Sequence, residues 1–311
     1  MPFEKIPLND GNEIPAIAFG SGSKWKGKDV VDAVGQAIEA GFSHLDTAQY
    51  YKNEDDVGVA IRESGLARSE LFVTTKYGGG DIQEAIQTSL TKLGLKQVDL
   101  YLIHMPNTVA GRFAEAWREF EKIKADGLAK SIGVSNFTLE QLQEIIKTAH
   151  VKPAVNQIKF HPYNYAENKA LLEYAATHGI VIEAYSPLTP ITQVPGGPVD
   201  IPVGLIAKRH GIAPTQVVLA WAKAKGVVIV TTSSSKQHLQ EYLDVGDVEL
   251  TKDDIAAIDE AGAKGPYSPL IRITFFQRAR LDITLGAVLR GFCLGLLWFF
   301  VYHYWNTAAE R

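Results

Sequence analysis

Eight short β-type runs alternate with amphipathic helical stretches from residue 16 to about residue 262, and this alternation constrains the fold more than any other feature of the sequence. The runs are AIAF (16–19), HLD (44–46), LFVTTK (71–76), VDLYLIH (98–104), AKSIGVS (129–135), AVNQI (154–158), IVIEAY (180–185) and VVIVTT (227–232). Between them lie helical patterns such as 29–40, 81–93, 138–149 and 166–178, with apolar residues at i, i+3 and i+4 and with Asp29, Asp81 and Thr138 placed to cap them. Runs apolar on both faces belong to a sheet covered on both sides, which alternating crossover helices provide. Eight parallel runs close a (β/α)8 TIM barrel; a doubly wound open sheet is the alternative.

The position of the polar residues favours the barrel. Nearly every run ends, on its C-terminal side, in a group capable of chemistry: Asp46, Lys76, His104, Ser135 with Asn136, Gln157, Tyr185, Ser233. A barrel gathers all those ends on one face, whereas an open sheet gathers only those beside a switch point.

Asp46, Tyr51, Lys76 and His104 are suited to delivering a proton to an oxygen that is gaining negative charge. A free phenol titrates near 10 and is a weak acid at neutral pH, so a neighbouring cation such as Lys76 is needed to stabilise its phenolate. A buried lysine tends to lose its own proton, and Asp46 would keep it charged. His104 can donate a hydrogen bond to a carbonyl oxygen. Singly, each reads as a structural ion pair or a core histidine; four at strand ends read as a site. No HExxH or CxxC spacing suggests a metal. Gly20-Ser21-Gly22-Ser23 opens like a dinucleotide fingerprint but lacks the third glycine, so it is read as a strand-end loop whose glycines leave room for substrate.

The stretch GFSHLDTAQYYKNE, in which Asp46 is followed five positions later by Tyr51, resembles the aldo-keto reductase signature. LFVTTK and DLYLIHMP place the family's lysine and histidine at Lys76 and His104, with Tyr51 rather than Tyr50 as the catalytic tyrosine. Further resemblance lies in GVSNF, NQIKFHPY and YSPL. It implies that Ser135, Asn136 and Gln157 hold the nicotinamide amide, that Tyr185 stacks on the ring, and that Ser186 and Leu188 line the pyrophosphate. Thr232, Ser233, His238 and Glu241 complete the expected coenzyme set, and Trp25, with Tyr51 and His104, would wall the substrate pocket. The implied activity is metal-free reduction of a carbonyl (an aldehyde, ketone, α-dicarbonyl or α-keto amide) by NADP(H) or NAD(H). A monomeric barrel acting on a small molecule is expected. The alternative is a cofactor-binding, membrane-tethered regulatory or redox-sensing subunit.

Two departures stand out. The family fixes the 2′-phosphate of NADPH with a Lys-Ser pair and a nearby Arg, but here Thr232-Ser233 and His238 occupy those positions, with Lys236 the nearest cation. Losing charged hydrogen bonds worth roughly 1.5–3 kcal/mol each erodes NADPH preference, so NADPH is expected first and NADH second. The segment MPNTVAGRF after His104 is short, which implies an open pocket; together with GSGSKW it most resembles fungal reductases of α-keto amides or conjugated cyclic diketones.

Charge sets the remaining expectations. With 31 Lys plus Arg against 35 Asp plus Glu, the net charge of −4 provides no field for nucleic acid. Cys293 is the single cysteine, which fits a reducing compartment, and the N-terminus carries acids where a signal peptide needs an apolar run. A cytoplasmic catalytic domain follows. Residues 271–311 hold five Arg and two acids, leaving 26 basic and 33 acidic residues in 1–270, so the tail is read as a separate piece. Within it, 285–305 (LGAVLRGFCLGLLWFFVYHYW) contains only Arg290 and His303 as strongly polar residues and is long enough for a membrane-crossing helix that would anchor the barrel.

Overall fold

A computed structural model describes residues 3–266 of the chain. The expected tail, and the candidate span 285–305 in it, lie outside the described residues. Among the described residues, no helix is long and apolar enough to cross a membrane.

The first two strands form an antiparallel hairpin. β1 (Lys5–Pro7) pairs with β2 (Glu13–Pro15), with Ile6 opposite Ile14. The turn anticipated at Asn9–Asn12 closes through Leu8 N donating to the Asn12 carbonyl at 2.8 Å, and Gly11 takes a φ of +85° that a side chain would strain. Leu8 and Ile14 are buried against Phe72, Leu100, Leu102, Val155 and Val228. The hairpin is therefore the floor of the molecule, and it packs apolar side chains at the N-terminal end of the sheet.

The next eight strands close on themselves: β3 (Ile17–Gly20), β4 (His44–Asp46), β5 (Phe72–Tyr77), β6 (Val98–Ile103), β7 (Ala129–Ser135), β8 (Val155–Lys159), β9 (Val181–Tyr185) and β10 (Val228–Thr231). All are parallel, and Ile229 paired with Ile17 joins last to first, which excludes the open sheet. Every residue of β5 and β6 is buried, as strands covered on both faces require. Bounds differ from the sequence runs by a residue or two because ladder hydrogen bonds, not apolar character, end a strand. His104 falls just past β6, although its N–H still bonds the Tyr77 carbonyl at 3.1 Å.

Helices α1 (Val31–Ala40), α2 (Glu54–Glu63), α3 (Ile82–Leu93), α4 (Phe113–Ala125), α5 (Leu139–Thr148) and α6 (Tyr165–Thr177) follow successive strands, and α7 (Thr189–Thr192), α8 (Asp200–His210), α9 (Pro214–Ala224), α10 (Lys236–Asp244) and α11 (Lys252–Ala263) complete the outer layer. Asp81 accepts from Glu84 N at 2.9 Å, and Thr138 and Gln141 cap each other's backbone N–H. Asp29 also caps, but α1 begins at Val31, whose N–H it accepts at 3.0 Å. Chain polarity leaves the strand C-termini around a single cavity.

Candidate active site

Four strands, β4, β5, β8 and β9, join through one buried chain of polar groups. Asp46 ends β4 and Lys76 lies one residue before the end of β5; both are buried. Lys76 Nζ donates to Asp46 Oδ1 at 2.5 Å and to the Thr47 carbonyl at 2.9 Å, and it stands 5.1 Å from the centroid of the Tyr51 ring. Burial alone would strip a lysine of its proton. Here Asp46 and Tyr51 outweigh burial and hold Lys76 above its ordinary range.

Tyr51 closes a 3-10 turn, Gln49–Tyr51, that begins after Ala48. Burial pushes its phenol up while Lys76 pulls it down, and burial prevails. A neighbouring cation alone would make Tyr51 more acidic; the fold instead keeps the hydroxyl protonated at neutral pH, with Lys76 beside its ring. His104 meets the Tyr51 ring edge to face at 5.4 Å. Burial, and then Lys76, push the His104 imidazole down to about 4, so it is a neutral ring. Tyr50 is 56% exposed, with Lys26 Nζ 3.4 Å from its ring centroid, and it too meets His104 edge to face, at 5.9 Å.

Gly20 and Gly22 line the site cavity, and Gly22 has a second role. A Cβ there would lie 2.7 Å from Tyr51 Cζ and 2.8 Å from Tyr51 Cε2, so the missing side chain also makes room for the tyrosine ring.

The expected nicotinamide residues are held by one another. Ser135 Oγ donates to the Gln157 carbonyl at 2.8 Å; Asn136 Nδ2 donates to the His104 carbonyl at 3.0 Å, and Asn136 Oδ1 accepts from Tyr185 OH at 2.7 Å. Asn136 and Ser186 follow the ends of β7 and β9 with φ of +64° and +55°, left-handed conformations that for non-glycine residues cost about 1–3 kcal/mol and cluster at sites. Gln157 Nε2 bonds both Asp46 Oδ2 at 2.8 Å and Glu183 Oε2 at 2.9 Å. Asp46, Tyr51, His104, Ser135, Asn136, Gln157, Tyr185, Ser186, Leu188 and Thr232 all line one cavity of about 450 Å³.

Other expected residues stand outside that lining. The Trp25 indole N–H donates to Thr232 Oγ1 at 3.1 Å, so Trp25 ties two loops together. Ser233 Oγ accepts from Ser235 N at 3.1 Å, and Glu241 accepts from Gln237 at 2.7 Å. His238 is exposed, stacked on Tyr242 with ring centroids 6.1 Å apart. Lys236 pairs with Glu39 at 3.3 Å.

The chain matches the model of the aldo/keto reductase family over residues 16–190 and 200–263. The chain belongs to that family. It is 39% identical over 267 residues to the NAD/NADP-dependent indole-3-acetaldehyde reductase of Schizosaccharomyces pombe, a match that spans 82% of this chain and 93% of that protein. The glyoxal reductase of Bacillus subtilis is 38% identical over 262 residues, spanning 82% of this chain and 92% of that protein. A crystal structure of a Bombyx mori aldo-keto reductase in complex with NADP superimposes with a TM-score of 0.76 at 33% identity, covering 83% of this chain and 92% of that one.

Three further polar groups stand beside the expected ones. His44 and Glu183 are buried inside the barrel beside Asp46; the signal was charge at inward positions of HLD and IVIEAY. Lys24 Nζ donates to Ser234 Oγ at 2.6 Å across 210 residues, a contact that no local pattern could disclose.

Proposed function

We propose that this aldo/keto reductase uses Tyr51 as the proton donor in NAD(P)H-dependent reduction of carbonyl groups to alcohols. The observation that carries this reading is the buried Tyr51–Lys76–Asp46 chain beside the neutral His104 ring, set in a cavity at the C-terminal ends of the strands.

The residues around the cavity fit a nicotinamide coenzyme. Gln157 commits both N–H groups to carboxyl oxygens, which leaves its carbonyl oxygen to accept from a carboxamide. The Tyr185 ring borders the cavity at a height set by Asn136. When bound, the coenzyme supplies a hydride to the carbonyl carbon. His104, neutral, donates a hydrogen bond that orients the carbonyl oxygen. Tyr51 gives its phenolic proton to that oxygen as charge builds, Lys76 stabilises the phenolate that remains, and Asp46 keeps Lys76 charged. Solvent then restores the Tyr51 proton.

The substrates we propose are small aldehydes and α-dicarbonyls, supported by the names of the relatives, by the cavity volume and by the short loop after His104, where only the 3-10 turn Pro106–Val109 precedes α4. Steady-state turnover on a panel of glyoxals, aromatic aldehydes, α-keto amides, quinones and aldoses tests this: fastest reduction of the first two classes is expected, and no turnover of any carbonyl refutes it.

NADPH is proposed as the preferred coenzyme, with NADH second. Thr232→Lys with His238→Arg should raise the NADPH to NADH ratio of kcat/KM about tenfold or more, since each cation adds a charged hydrogen bond; an unchanged ratio shows that other residues read the 2′ position. Segment 285–305 is proposed, from its composition alone, as a membrane anchor. Carbonate-resistant pelleting of the full chain but not of residues 1–265 is expected, and full solubility of both contradicts it.

A further inference from the structure

Beneath the cavity, the interior of the barrel is polar where a packed apolar layer would be ordinary. Glu183, on β9, is wholly buried, and its two oxygens have different surroundings. Oε2 accepts from Gln157 Nε2 at 2.9 Å. Oε1 has no hydrogen-bond partner among the described residues and faces His44 Nε2 at 3.9 Å. His44 itself lies between the Pro15 carbonyl, 3.4 Å from Nδ1, and the Thr74 hydroxyl, 2.8 Å from Nε2. A carbonyl can only accept, so Nδ1 carries the hydrogen and Nε2 accepts from Thr74.

Two carboxyl groups thus bracket a single amide nitrogen. Asp46 Oδ2 lies 2.8 Å and Glu183 Oε2 2.9 Å from Gln157 Nε2. An amide nitrogen has two donors and no lone pair to offer, whereas an amide oxygen placed there would face the Asp46 carboxylate, which can only accept. The amide can therefore sit only one way round, with both its hydrogens engaged. One carboxyl would fix which end points down; two fix the plane of the amide and stop it swinging.

We propose that Glu183 is a positioning residue of the coenzyme site: together with Asp46 it clamps the Gln157 amide from below, so that a rigid carbonyl acceptor, and no donor, is presented to the carboxamide of the nicotinamide. The inference rests on the coenzyme reading above and adds to it the selection of a ligand with a hydrogen-bond donor at that position. The charges are consistent with this role. Burial, and then the charge of Asp46, push the Glu183 carboxyl up to about 8, and burial pushes His44 down to about 4. At neutral pH Glu183 is a neutral acid, Lys76 balances Asp46, and the other groups that Glu183 meets are Gln157 and the neutral His44.

The test uses the full chain, NADP+ and its 3-acetylpyridine analogue, which lacks the amide N–H. Glu183→Leu removes the lower acceptor; Glu183→Gln keeps a carbonyl that accepts the same bond. The ratio of dissociation constants, analogue over NADP+, is read from quenching of protein fluorescence. Parent and Glu183→Gln are expected to agree within twofold, while the ratio falls at least threefold in Glu183→Leu. A Leu variant that folds and keeps the parent ratio overturns the proposal. If that variant does not fold, the side-chain amide resonances of Gln157, assigned by their loss in Gln157→Met, are compared in parent and Glu183→Gln across pH 6–9. A titration with a midpoint near 8 in the parent only supports the clamp; identical resonances in both proteins overturn it. Failure of the coenzyme reading is distinguishable, because then neither nucleotide binds the parent.

Discussion

Gly22→Ala isolates the placement of Tyr51, the proposed proton donor, from its chemistry. Gly22 has a φ of −82° and a ψ of −155°, so alanine fits the backbone without strain. The added methyl, however, would stand 2.7 Å from Tyr51 Cζ and 2.8 Å from Cε2, where carbon atoms need about 3.5–4.0 Å. The ring must withdraw by roughly 1 Å, and it has little free room, with His104 packed edge to face at 5.4 Å. Misplacing a reacting group by about 1 Å costs on the order of 10² in rate, or about 2.7 kcal/mol of transition-state stabilisation. Steady-state kinetics on glyoxal should therefore show kcat about a hundredfold lower, with the coenzyme Kd within threefold of the parent and the far-UV circular dichroism unchanged. An alanine variant with more than half the parental kcat would refute the claim that Gly22 exists to seat Tyr51.

Lys76→Met should lower kcat by about 10²–10⁴ and destabilise the fold by about 3–5 kcal/mol in urea unfolding, because Asp46 is left buried without its cation; adding Asp46→Asn should recover most of the stability and none of the turnover. His44, His104 and His161 are each held down to about 4 by burial, so they are neutral in the fold and charged when unfolded below about 6.5. The unfolded state then binds more protons, and stability falls as pH drops from about 6.5 toward 4, by up to about 1.4 kcal/mol per pH unit for each histidine. Glu183 acts in the opposite sense, since its raised folded pKa gives stability that is present at low pH and lost as pH rises through about 8, so it offsets one of the three between about 4.5 and 6.5. Urea midpoints at pH 7 and 5 check the sign: a midpoint no lower at pH 5 contradicts it.

The strands were legible because buried parallel strands need continuous apolar runs, and the four proposed catalytic residues because Asp46, Lys76 and His104 stand at or next to strand ends, which chain polarity brings together, and Tyr51 follows Asp46 in the adjoining 3-10 turn. Interior residues at the next layer down were not. Glu183 in IVIEAY and His44 in HLD read locally as tolerated polar residues, and only the pairing of β8 with β9 sets Glu183 beside Gln157, and closure of the barrel sets it across from His44. Loop partnerships were hidden for the same reason: Trp25 with Thr232 and Lys24 with Ser234 lie 207 and 210 residues apart. The floor hairpin announced its turn but not its role, since Leu8 and Ile14 become a plug only once a barrel end exists to receive them.

The account turns on Tyr51 as the proton donor, and Tyr51→Phe tests it most directly, with coenzyme Kd and single-turnover carbonyl reduction measured on the same preparation. The substitution removes the hydroxyl while leaving the ring, Lys76 and the Tyr185 face in place, so the coenzyme should bind as tightly as in the parent while reduction falls by about 10²–10⁴. Retention of more than half of the parental rate, with normal coenzyme binding, would show that another group supplies the proton.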